Sequence, residues 1–224
     1  MANNYYDATG VLVLDQITPV ITALFDGLNL DAAYPGNGEA YIALISESNA
    51  ALWDDIHESL AKLATSLGLP VPDEELPPIE ELLELLAKHF GTDQDEALMQ
   101  MLEEHRFEDT ADLDTLFLIA TRFNDGHNLS EIRFEGSWRC DKPRLFEFGG
   151  EGWYLSREFE TFSISGQALQ LGPEIRRALL ADELDKAAAL IAREANRLLA
   201  GINDAARREQ LRNRVAALLQ ASPA

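Results

Sequence analysis

Basic side chains are nearly missing from the first part of this chain. Residues 1–128 hold 4 Lys and Arg against 25 Asp and Glu, so the entire net charge of −21 arises there; residues 129–224 hold 14 of each. A one-signed surface repels nucleic acid and anionic membrane and attracts basic surfaces. Direct nucleic-acid binding and membrane association are therefore not expected. Cysteine occurs once, at Cys140, which excludes an internal disulfide framework and any multi-cysteine zinc site. Long apolar runs are lacking too: none approaches the ~20 residues that span a bilayer. The segment Met1-Ala2-Asn3-Asn4-Tyr5-Tyr6-Asp7 has neither a basic start nor an apolar stretch, so a cytoplasmic protein is expected. No Gly-rich phosphate loop opens a helix, and no cofactor is expected.

What is present is ordinary globular patterning. Gly10 to Asp15 reads as a strand apolar on both faces, hence central. Thr18-Pro19 suits the start of a short helix reaching Gly27. Tyr34 to Gly38 is turn chemistry, and Glu39 to Ser46 a second strand. Ser48 or Asn49 is placed to cap a helix whose Leu52, Ile56, Leu60, Leu63 and Leu67 form one stripe, closed by Gly68-Leu69-Pro70. Residues 69–78 are the best linker candidate. Three short helices follow at about 78–90, 94–105 and 111–123, with Asp93 and Glu96 resembling a capping box.

Alternation then takes over. Ile132, Phe134, Trp138 and Cys140 share one strand face. Leu145–Phe148 reads as the next strand, Gly149-Gly150-Glu151-Gly152 as a hairpin turn, and Trp153 to Ile164 as a third strand whose phase slips near Thr161. From Pro173 onward the chain reads as an αα-hairpin. Its seam is Leu180, Leu184, Ala187, Ile191, Ala195, Leu198 and Ile202, with Leu211, Val215 and Leu218 continuing on a last helix.

The expected fold is α+β: a mostly antiparallel sheet of N-terminal strands plus a three-stranded meander at about 131–165, with packed helices. Its sub-regions are an α/β part at 1–68, an acidic helical segment at 78–123, the meander at 129–165 and C-terminal helices at 173–220, within one domain spanning 1–224. A split near residue 75 or 128 is the alternative.

Candidate chemistry is sparse. None of His57, His89, His105 and His127 belongs to a spaced ligand motif, so no metal is expected. Cys140 shares its face with apolar residues and reads as an inert core thiol. Asp15 closes a strand before a helix, where ligand-binding carboxylates sit in open sheets. Asp125 with His127 is the best acid–base pair. The run Asp73, Glu74, Glu75, Glu80, Glu81 and Glu84 is the leading partner-binding candidate, since solubility alone does not require so lopsided a charge. The favoured expectation is a non-enzymatic acidic interaction or regulatory protein. It would dock on a basic partner as a nucleic-acid mimic, inhibitor or immunity-type protein, with homo-oligomerisation through the C-terminal helices. The alternative is a small hydrolase or ligand-binding enzyme using Asp15 or Asp125/His127.

Overall fold

The computed structural model describes residues 3–72, 76–142 and 144–221. Its frame is a six-stranded sheet built from β1 (Asn4–Val13), β2 (Asp31–Pro35), β3 (Glu39–Leu44), β4 (Glu131–Cys140), β5 (Phe148–Ser156) and β6 (Glu160–Ile164). The strand order is β2-β3-β1-β4-β5-β6, and every neighbouring pair is antiparallel. The fold is α+β, as the pattern predicts.

Alternation decides which face is covered. The even-numbered residues Ala8, Leu12, Ile132 and Phe134, with Ala40 and Ile42 of β3, point into one core. Helices α1 (Pro19–Phe25), α2 (Trp53–Ser66), α3 (Ile79–Phe90), α4 (Glu96–Glu104) and α5 (Leu113–Arg122) supply the rest of it. Leu60, Leu82, Leu86 and Phe123 are fully buried there. On β1, β3 and β4 the odd-numbered residues point the other way, as do the even-numbered residues of β5. Thr9, Tyr41, Arg133, Glu135, Tyr154 and Ser163 line an open trough of about 600 Å³. β1 is central, as expected, but only one of its faces is buried.

β2 was not foreseen, because all five of its residues are exposed and none carries a burial signal. The meander also differs. Gly149, Gly150 and Gly152 lie inside β5, and the chain turns instead at 157–159. Gly149 sits opposite Trp138, and a Cβ there would overlap the indole. Gly149 answers a bulky cross-strand neighbour, and none of the three glycines forms a turn.

Two caps fall on other residues than expected. Asp95, not Asp93, accepts from the Leu98 N–H to start α4. Asn49 caps no helix; its side chain accepts from the Ile45 N–H and donates to the carbonyls of Gly27 and Ala43. Leu69 and Val71 of the proposed linker pack against the core.

The last three helices are α6 (Gln167–Leu180), α7 (Leu184–Ala200) and α8 (Ala205–Ala221). α6 begins before Pro173 and contains it, and the helical hairpin is α6 with α7. α8 buries none of its residues. This arm is fastened at the β6 edge by an isolated bridge between Phe159 and Ile202 and by the Glu160 N–H donating to the Gly201 carbonyl.

Candidate functional site

Helix starts explain much of where the carboxylates lie. Asp54 and Asp55 occupy the first turn of α2, Glu80 and Glu81 that of α3, Glu96 that of α4 and Asp114 that of α5. Each meets the positive end of a helix dipole, a favourable placement. Local preference thus distributes the acids, and tertiary contacts bring several groups together.

Two ties draw three acidic segments to one place. The Trp53 N–H donates to the Asp109 carbonyl at 3.0 Å and the Ala111 N–H to the Ala51 carbonyl at 2.8 Å, laying the 108–111 segment along the start of α2. His57 Nε2 lies 2.8 Å from the Pro77 carbonyl, which sets the start of α3 beside α2. Exposed Asp54, Asp55, Glu81, Glu84, Glu108 and Asp109 belong to these segments. Among the described residues none of these six, nor half-buried Glu80, forms an ion pair. Asp73, Glu74 and Glu75 of the acidic run lie outside the described residues.

Among the described residues no arginine of the arm forms an ion pair with these acids. Arg193 pairs with Glu174 and Glu194, Arg197 with Glu194, Arg207 with Asp204 and Arg212 with Glu209, all within the arm. Cations that do pair with acids of residues 1–128 include Arg133 on Glu39 and Arg139 on Asp7, both on the open sheet face.

The histidines divide sharply. His127 is fully buried, and its Nδ1 accepts from the Leu129 N–H at 2.8 Å, which leaves the neutral ring's proton on Nε2. That nitrogen is 4.0 Å from Asp125 Oδ1, and neither atom has a hydrogen-bond partner. Burial holds the His127 pKa below its ordinary value, against the opposing charge of Asp125. Asp125 Oδ2 accepts from the Val20 N–H at 3.2 Å, so it serves the start of α1 in place of the Thr18 side chain. Asp15 joins the same knot, accepting from Asn128 Nδ2 at 2.7 Å while its N–H donates to the His127 carbonyl. Asp15, Asp125 and His127 thus converge, but as a closed junction between the end of β1 and the start of β4.

A second pair was missed. His105 Nε2 donates to Asp112 Oδ2 at 3.0 Å, and His105 Nδ1 accepts from the Phe107 N–H. The partners lie seven residues apart across a turn, and no sequence signal joins them. Burial works against the Asp112 anion, but hydrogen bonds from Thr115, Asp114 and His105 outweigh it and hold its pKa low. Its neighbour Asp114 is pushed up to about 6 by burial of its carboxyl and by Asp112. Asp114 and Glu160 line a cleft of about 300 Å³ closed by Trp153, Phe162 and Arg197.

No family model, curated protein or solved structure matches this chain. Its site is therefore read from geometry alone. Among the described residues no group of three or more His, Cys, Asp or Glu is placed to hold a metal ion. None of the described helices is long and apolar enough to cross a membrane. Cys140 is buried, with Sγ 3.7 Å from Asp141 Oδ1.

The raised pKa of Asp114 makes a stability prediction. Between the ordinary carboxyl value and about pH 6 the folded protein holds a proton that the unfolded chain releases, so stability falls as pH rises through that window. Asp114→Asn is expected to stabilise the protein at pH 7 by about 1 kcal/mol, discounted for the solvent contact of this exposed residue, and by nothing below pH ~4. Thermal melts of both proteins across pH 4–7 check this; parallel curves would remove Asp114 as the cause.

Proposed function

We propose that this protein is a non-enzymatic acidic interaction protein that docks on a basic protein partner through the helical layer. Carboxylates of α2, α3 and the 108–109 segment would stand where the partner's phosphate ligands otherwise stand. The observation that carries the reading is the lack of ion pairing: among the described residues these carboxylates form no ion pair, they are gathered by the α2 contacts, and the arm's paired arginines are engaged by acids of the arm itself. An uncancelled field of this kind speeds encounter with a basic surface and makes binding depend steeply on salt.

Such a partner is one whose own ligand is polyanionic, a nuclease or another nucleic-acid-binding protein being the natural class. The test is capture from native lysate at low salt with stepwise salt elution. A basic protein should be retained, released as salt screens the contact, and displaced by added nucleic acid. Glu80→Lys/Glu81→Lys/Glu84→Lys is expected to weaken retention about tenfold or more at low ionic strength, since each reversed exposed pair is worth about 0.2–1 kcal/mol. Retention unaltered by both salt and this variant would sink the proposal.

The enzymatic alternative at Asp15 or Asp125/His127 draws less support, because His127 has no solvent access and a general base must reach the proton it removes.

A further inference from the structure

We propose that this protein forms a two-fold dimer in which α7 of one copy packs antiparallel against α7 of the other. The observation is a stripe on α7 and the residue beyond its turn: Leu184, Ala188, Ile191, Ala195, Leu198 and Ile202. Their spacings of 4, 3, 4, 3 and 4 make an unbroken seven-residue repeat, the pattern that keeps a seam facing one partner helix.

The large side chains of the stripe along α7 are uncovered, while Ala195 and Ile202 are half-buried. Leu184, Ile191 and Leu198 are 63%, 60% and 48% exposed. The residues α7 buries are Ala187 and Leu199, which flank the stripe on either side, and Ile202 at its end also bridges to Phe159. Leu184, Ile191 and Leu198 are not part of what α7 buries.

The choice of a second copy follows from the order of side chains. Turn the stripe about a two-fold axis at its middle, and Leu184 falls opposite Ile202, Ala188 opposite Leu198, and Ile191 opposite Ala195. Two of the three distinct layers set a large residue against an alanine, so the knobs of one helix fill the space the other leaves. A parallel pairing would set alanine against alanine and lose this fit. A surface complementary to itself under a two-fold axis is what a closed, isologous dimer requires.

Charge points the same way. Each copy carries −21, and the repulsion between copies is least where charge is balanced. The arm belongs to the balanced half and is attached at β6, at the opposite end of the sheet from β2 and β3. Joining copies there keeps the acidic helical layers apart. Six residues are fewer than the 20–30 a side of a standard interface. Leu180 at the end of α6 and Leu211 on α8 are exposed as well, at 71% and 41%.

The test uses the full chain. Light scattering at tens of micromolar should give twice the 24.8 kDa monomer mass. Ile191→Glu, at an exposed position, should return the mass to that of a monomer with unchanged circular dichroism, raising the dissociation constant at least a hundredfold. A second measurement fixes direction. In a Cys140→Ala background, Ala188→Cys mixed with Leu198→Cys should cross-link on mild oxidation. Neither alone should, because like positions lie about 15 Å apart along the seam. A monomeric wild type, as when α8 of the same chain covers the stripe, overturns the proposal. So does a dimer indifferent to Ile191→Glu, or Ala188→Cys cross-linking to itself.

Discussion

Gly10→Val is expected to cost at least about 3 kcal/mol, a large share of the 5–15 kcal/mol that separates folded from unfolded states. Gly10 lies between β3 and β4, paired with Ile42 on one side and Phe134 on the other. A Cβ there would stand 2.6 Å from the Phe134 ring and 2.9 Å from the Phe134 Cα, and would overlap the Arg133 carbonyl oxygen. The ring can move; the backbone atoms cannot, because the β1–β4 ladder runs ten residues through this point. Glycine is kept in a strand interior, despite its entropic cost, where chains approach this closely. Urea unfolding should show the loss. Adding Phe134→Leu should rescue little of it, since only the ring contact is relieved. A midpoint within experimental scatter of wild type would refute the close approach.

Trp53→Ala is expected to cost about 3–5 kcal/mol. Trp53 is 1% exposed and meets Phe107 and His105 edge-on, with ring centroids 4.9 and 5.2 Å away. It fastens the 105–112 segment to α2, so its loss should also loosen the acids at 108 and 109. Trp53→Phe makes the sharper comparison. The indole N–H has no acceptor, and an unsatisfied buried donor costs about 1–3 kcal/mol. Phenylalanine removes that penalty while keeping most of the apolar contact, so it should cost well under half of the alanine variant. Equal losses for the two would mean that the indole N–H is satisfied after all.

The strands and helices with a strong apolar period were legible in the sequence. The stripe Leu52 to Leu67 became α2, and the Ile132/Phe134/Cys140 alternation became the inward face of β4. β2 was invisible because an exposed edge strand buries nothing and so imposes no pattern. β5 was broken in two because Gly149 and Gly150 read locally as turn residues, while the reason for Gly149, the Trp138 ring, lies on another strand. Asp15 and the Asp125/His127 pair were legible only as separate candidates; their convergence, and the burial of His127, are properties of the closed fold. His105 and Asp112 were passed over because each has a sufficient local explanation, one ending a helix and the other capping one. The acidic surface itself was plain from composition. Its assembly around α2 was not, since it depends on the bonds from Trp53 and His57 to distant backbone carbonyls.

The partnership of β1 with β4 also bears on how the chain is made. β1 is made well before its partner β4, which begins at residue 131, roughly 120 residues later. At translation speeds of about 5–20 residues per second, the first strand waits on the order of ten seconds with one flank bare. During that interval β3 alone can shield it, and the acidic helices emerging in between keep neighbouring nascent chains at a distance.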